Sequence, residues 1–235
     1  AVNKVFSLKG RPKNNPMIAH VLDESWISMV AETSGVDYER LVDAFWPGPL
    51  TIILDRKSTV PQEACGGYDT IALRSPAHPV ARKLLHMFGK PISAPSANIS
   101  GYISPTSASH VEEAFGGEVM VIDGNSCDLG IESTVLSFLG TPTILRRGSI
   151  SSGEISKIIG EVNECIETSQ TNSPGTLIRH YAPKLSASLI SEHKLNELSA
   201  PTSAVISISG TPALAHCTLM MPTNARAYAQ KLYDT

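Results

Sequence analysis

The sequence predicts an α/β fold, or α+β if its sheet is mixed, and three observations point there. Runs rich in β-branched residues, bounded by Gly, Pro or Asp, alternate along the chain with amphipathic stretches. Hydrophobic residues make up 42% of the 235 and charged residues 17%, a composition able to bury a sizeable core. Beyond about residue 160 the pattern gives way to polar, turn-rich sequence, so a main domain is expected to be followed by something smaller.

Taken in order, strands are expected at LTIIL (50–54), TIALR (70–74), VMVID (119–123), STVLSF (133–138) and TPTILR (141–146). A helix is expected over 77–88, where Val80, Leu84, Leu85 and Phe88 share a face and Gly89 stops the run. A second is expected over 106–115, with Thr106 as its cap and Gly116 at its end. The third covers 151–159, where Ser151 and Glu154 have the spacing of a capping box. ETSQTNSPG (167–175) then has the composition of a linker, and SASLIS (186–191) and SAVISIS (203–209) open a second set of strands. The division expected is a main domain over 1–165, a linker over 166–184 and a partial smaller domain over 185–235. At the end of the chain Tyr228, Ala229, Leu232 and Tyr233 mark a helical face with no stop signal, and at the start stands Ala1. Both ends are therefore expected to continue.

The net charge of −3 provides no electrostatic carpet for duplex nucleic acid or an anionic membrane, so any bound anion is expected to be small and locally held. Cys65, Cys127, Cys165 and Cys217 are scattered, with no C-x-x-C, which fits idle thiols in a reducing cytoplasm better than disulfides or zinc. No apolar run approaches the ~18–20 residues of a membrane span.

Several short stretches suit an anion. SLKGRP (7–12) sets Lys9 and Arg11 two positions apart around Gly10 and before Pro12, a stretch not expected to be ordinary helix. Two expected strands end in arginine, TIALR at Arg74 and TILRR at Arg146 and Arg147, and ligands in open α/β sheets sit beyond the carboxyl ends of strands. SAPSANISG (93–101) packs Ser93, Ser96, Asn98 and Ser100 between Pro95 and Gly101, where small residues let backbone N–H groups form an anion-binding nest. GIESTV (130–135) puts paired hydroxyls at a strand entrance, suited either to a small polar substrate or to local capping. P-loop, dinucleotide and nucleophile-elbow signatures are all missing, and the histidines form no H-E-x-x-H. The inventory favours binding and orienting an anionic substrate over covalent catalysis.

KVFSLKGRPKNNPMIAHV, FWPGPLTIIL, TIALRSP, SAPSANISG, GIESTVLSF and TILRRGSI occur in the order found in the YrdC family. With SPGTLIRHYAPK added, the chain resembles that family's long, two-domain members, the threonylcarbamoyl-AMP synthases. The resemblance is dense over about 1–185 and implies a twisted open mixed sheet with flanking helices. A linker and a smaller Rossmann-like domain, incomplete here, are implied to follow. It implies nucleotidyl transfer: L-threonine, bicarbonate and ATP, with Mg²⁺, give threonylcarbamoyl-adenylate and pyrophosphate, which a separate transferase uses at adenosine 37 of tRNA. By motif position Lys9, Arg11, Asn15, Thr70, Ser96, Asn98, Ser104 and Arg147 are implied to face ATP, with Tyr181 in a lid-like linker segment over it. His20, Arg74, Ala94 and Ser133 are implied to face threonine, Arg74 as partner of its carboxylate. Which residues hold the metal is left open, and no protein nucleophile is implied. The family's P-T-x-T-x-Y-G-L stretch, with residues that help hold the substrate, does not occur in this sequence, which begins just after its expected place. Two other readings of the same resemblance are a double-stranded RNA-binding module and a carbamoyl-adenylate-handling domain of hydrogenase maturation. The acidic balance argues against the first, and the lack of zinc-finger cysteines against the second.

Overall fold

Seven strands build the larger of two sheets: β1 (Ile18–His20), β2 (Leu50–Asp55), β3 (Thr70–Arg74), β4 (Ile92–Ala94), β5 (Thr134–Ser137), β6 (Thr143–Arg146) and β7 (Asn163–Glu164). Their spatial order is β4-β1-β3-β2-β5-β6-β7. The sheet is mixed, with β1–β3, β2–β5 and β6–β7 parallel and β1–β4, β2–β3 and β5–β6 antiparallel. The structure is a computed structural model and describes residues 1–165, 182–183, 185–194, 201–209 and 215–234.

Period-two alternation sorts the sheet into two faces. Leu50, Ile52, Leu54, Ile71, Leu73, Leu136 and Ile144 point to one side, where they meet Ile27, Leu41, Val42 and Ile155 in the main core. Burying each such side chain contributes roughly 1.5–3 kcal/mol before chain entropy is counted. The opposite side holds only a small apolar cluster of Ile53, Ala72 and Val135, with Ile18 and Leu145 against it. One face thus stabilises the fold and the other is left for polar side chains.

The α-helices of the described residues are α1 (Val2–Lys9), α2 (Glu39–Phe45), α3 (Pro79–Phe88), α4 (Ala108–Phe115), α5 (Ser152–Ile159) and α6 (Ala225–Lys231). The capping box of α5 forms as its sequence demands, Ser151 Oγ accepting from the Glu154 N–H and the Glu154 carboxylate from the Ser151 N–H. Gly89 and Gly116 end α3 and α4 in the left-handed conformation.

Five local expectations need correction. Lys9 does lie in ordinary helix: α1 runs through it, and Gly10, left-handed at φ 60, supplies the stop. Residues 119–123 form no strand, because Met120 and Ile122 are exposed and gain nothing from burial. Residues 186–190 are likewise outside any strand and mostly exposed. The cap of α4 is Ser107, not Thr106, whose hydroxyl turns instead to His110 and Asp234. On α3 only Leu85 of the expected apolar face is buried, while Val80, Leu84 and Phe88 stay exposed.

The chain divides into two compact units, one of Ala1–Tyr102 with Glu132–Tyr181 and one of Ile103–Ile131 with Ala182–Thr235. The first contains the seven-stranded sheet. The second contains α4, α6 and a parallel pair, β8 (Ala204–Ser207) and β9 (Cys217–Met220). Within it the backbone at Gly130 lies so close to the end of α6 that a Cβ would stand 2.5 Å from the carbonyl oxygens of Ala229 and Gln230. The Gln230 amide donates to the Cys127 carbonyl at 3.2 Å. None of the four cysteines is in a disulfide. Among the described residues no helix is long and apolar enough to cross a membrane, and no group of three metal-ligating side chains occurs.

Candidate functional site

Lys9 ends α1 with its aliphatic stem packed away and its ammonium turned toward the loop after β4. Nζ donates to the Ser96 carbonyl at 2.5 Å, to the Asn98 carbonyl, and to Asn98 Oδ1 at 3.3 Å. Ser96 Oγ donates to the same Oδ1 at 2.6 Å, Asn98 Nδ2 to the Tyr102 carbonyl at 2.7 Å, and the Ser100 N–H to the Lys9 carbonyl at 2.9 Å. Lys9 and the SAPSAN loop, about ninety residues apart, are therefore tied together.

Arg11 folds back on its own segment. Its Nε donates to the Asn15 carbonyl at 3.1 Å, and Nη2 donates to Asn15 Oδ1 and the Pro16 carbonyl, both at 2.7 Å. Lys9, Arg11, Asn15 and Asn98 are all buried. Burial and then the Arg11 charge push the Lys9 ammonium down to about 8. No carboxylate of the described residues pairs with Lys9. Asn15 Nδ2 is a buried donor with no partner among the described residues. Two adjacent buried cations and an unused amide donor form a setting in which an anion offsets a real cost.

The second cluster lies on the less filled face of the sheet. His20 on β1 stands directly opposite Arg74 on β3, at the carboxyl ends of two parallel strands. Arg74 Nε donates to the Gly48 carbonyl at 3.0 Å. Desolvation first, and the Arg74 charge second, hold the His20 imidazole down at about 4, so it is neutral at physiological pH. Ala94 on β4 faces Ile18 two residues before His20. At the entrance of β5 Ser133 is buried, its hydroxyl 2.7 Å from Thr51 Oγ1. The Arg146 guanidinium donates to the Ser133 carbonyl from Nε at 3.1 Å and Nη2 at 2.8 Å, and to Ser133 Oγ at 3.0 Å.

The remaining candidate residues stand elsewhere. Thr70 opens β3 opposite Asp55, at the other end of the strand from Arg74 and about 13 Å along it. Arg147 is largely exposed and paired with Glu164 of β7 at 2.6 Å. Ser104 belongs to the second compact unit. Tyr181, with most of SPGTLIRHYAPK, lies outside the described residues. Thr51 was not singled out from sequence, and Arg146 only as one of the strand-end arginines, without a role of its own. The signal for Thr51 was available, a lone hydroxyl inside the apolar LTIIL; for Arg146 nothing local separates it from Arg147.

Residues 1–148 match the Sua5/YciO/YrdC family model, described as Telomere recombination. The chain belongs to this family. Residues 150–235 match the model of the threonylcarbamoyl-AMP synthase C-terminal domain. A threonylcarbamoyl-AMP synthase of Pyrococcus abyssi is 43% identical over 192 residues, covering 78% of this chain and 56% of that protein. One from Bacillus subtilis is 40% identical over 190 residues, covering 78% and 55%. The chain thus spans about half the length of the curated relatives it matches. The crystal structure of P. abyssi Sua5 complexed with L-threonine superposes with a TM-score of 0.92 at 35% identity, covering 99% of this chain and 74% of that one. The mixed sheet with flanking helices is that of the family.

Proposed function

We propose that this chain carries the substrate-binding machinery of a threonylcarbamoyl-AMP synthase. In the reaction L-threonine, bicarbonate or CO₂, and ATP yield threonylcarbamoyl-adenylate and pyrophosphate. The product is the carbamoyl donor that a separate transferase uses to modify adenosine 37 of tRNA in the cytoplasm. The single observation that carries this reading is the buried Lys9–Arg11 pair, with no carboxylate on Lys9 among the described residues and an Asn15 amide beside it that none of them engages. That setting suits polyphosphate.

In this reading Arg11 and the Asn15 amide meet ATP, with Thr70, Ser104, Arg147 and Tyr181 completing its surroundings. Lys9, whose donors already engage the loop, acts by holding Ser96 and Asn98 in place and by its charge. His20, Arg74, Ala94 and Ser133 receive threonine. Arg74 fits the carboxylate, and neutral His20 adds no second charge beside it. No protein nucleophile is needed. The threonine amine takes up CO₂, the carbamate oxygen attacks the α-phosphorus of ATP, and pyrophosphate leaves while fixed cations stabilise the developing charge. Mg²⁺ enters on the ATP phosphates as part of the substrate. The catalytic domain is proposed to run over 1–165, with 166–184 as linker and 185–235 as part of the C-terminal domain.

Pyrophosphate release with ATP, bicarbonate and L-threonine, each omitted in turn, tests the proposal. Release should require all three, and L-serine should react less well because it lacks the methyl group, worth ~1 kcal/mol. Release independent of threonine overturns it.

A further inference from the structure

The Thr51–Ser133 pair holds one more hydroxyl hydrogen than the described structure can accept. Two hydroxyls that share one hydrogen bond use one of their two hydrogens in it. Thr51 is wholly buried and Ser133 almost so, and the bond between them is 2.7 Å long. Neither hydroxyl donates to any other described residue. Arg146 Nη2 approaches Ser133 Oγ at 3.0 Å, but a guanidinium only donates and so takes a lone pair, not the hydrogen. If Thr51 donates to Ser133, both lone pairs of Ser133 are filled, one by Thr51 and one by Arg146, and its own O–H remains to be used. The reverse arrangement leaves the spare hydrogen on Thr51, in the interior of β2 with no acceptor. A buried unmet donor costs about 1–3 kcal/mol in either arrangement, and a ligand that accepts at Ser133 relieves it only in the first.

We infer that Thr51 and Arg146 are positioning residues that make Ser133 an obligate hydrogen-bond donor to the carboxylate of the amino-acid substrate. The inference rests on the reading that Ser133 faces that amino acid, and goes beyond it by fixing which way the hydrogen points and what fixes it. Arg146 also grips the Ser133 carbonyl twice, which fixes where the residue stands beside Thr51. A carboxylate accepts and an ammonium only donates; a site so wired selects the acid end of the substrate.

Calorimetric titration of the full chain with L-threonine, with threoninol (its carboxylate replaced by CH₂OH) and with ATP tests this. Thr51→Val keeps the shape of the side chain and removes the hydroxyl; Thr51→Ser restores the hydroxyl. Thr51→Val and Ser133→Ala should each weaken L-threonine about tenfold, leave threoninol and ATP within twofold, and give a double variant no worse than Ser133→Ala alone. Thr51→Ser should bind as the parent does. An unchanged L-threonine affinity in Ser133→Ala overturns the placement of Ser133 and the inference with it. A tenfold loss in Ser133→Ala with none in Thr51→Val overturns the inference and leaves that placement standing. Should Thr51→Val fail to fold, Ser133→Ala alone decides: equal losses for L-threonine and threoninol overturn a carboxylate-directed hydrogen.

Discussion

Two titrating side chains dominate at the scale of single residues. His20 is neutral in the folded chain because protonation there meets desolvation and the Arg74 charge, lowering its pKa from 6.5 to about 4. The unfolded chain therefore binds more protons between pH 4 and 6.5, and stability contributed by His20 is lost as pH falls through that window. Urea titrations should show a loss of about 1–3 kcal/mol from pH 7 to pH 4 that His20→Asn reduces. Lys9 sits low for a lysine, at about 8, so its charge is lost at mildly alkaline pH in the free protein. ATP affinity should fall between pH 7.5 and 9.5, and ATP binding near pH 8.5 should take up a proton, read as a buffer-dependent enthalpy. An affinity constant over this range would remove Lys9 from the electrostatics of the site. Arg11→Ala should weaken ATP at least tenfold through loss of a charge-assisted contact. Lys57→Ala, half-buried with its ammonium on the Ser28 carbonyl, and Lys83→Ala, at an exposed position, should change it less than twofold. Equal effects from all three would make SLKGRP ordinary surface.

Among the elements, the turn after β6 leaves little room for a side chain. At Gly148 a Cβ would stand 2.3 Å from the Thr134 nitrogen and 2.6 Å from the Glu132 carbonyl oxygen. Fully buried Thr134 further pins this turn, its hydroxyl donating to the Ile150 carbonyl at 2.8 Å and accepting from the Ile150 N–H at 3.1 Å. Gly148→Ala should cost roughly 1–3 kcal/mol or more and displace the Ser133 segment, raising the KM for threonine before that for ATP. Thermal melts and initial-rate kinetics check both parts. Ser151→Ala, which removes the cap of α5 away from these contacts, should cost ~1 kcal/mol with unchanged KM values.

For the molecule as a whole, the second unit joins 103–131 to 182–235 through backbone approach as well as side chains. Gly130→Ala should force α6 away from the 127–130 segment, because the obstructing atoms are carbonyl oxygens of Ala229 and Gln230, not movable side chains. Limited proteolysis with mass spectrometry should then find new cleavage within 118–130. A pattern identical to the parent's would show that the loop holds its place without α6.

What the sequence by itself determined is mainly local. The strands at LTIIL, TIALR, STVLSF and TPTILR form within a residue or two of expectation, since β-branched runs bounded by breakers have few alternatives. The α5 capping box and the glycine stops of α3 and α4 are equally local, and the ordered motifs were enough to indicate the family. Tertiary structure decided which face each polar residue serves and which distant segments meet. Lys9 could not be seen to hold the Ser96–Asn98 loop, nor His20 to stand opposite Arg74, because register between strands and loop docking depend on long-range packing. The strand expected at 119–123 fails for the converse reason: a β-branched run forms a strand only where a partner and a buried face exist for it. Arg146 and Arg147 are chemically identical neighbours. Arg146 ends β6 opposite Val135 across a register shift and reaches Ser133, whereas Arg147 lies past the strand and pairs with Glu164 at the surface.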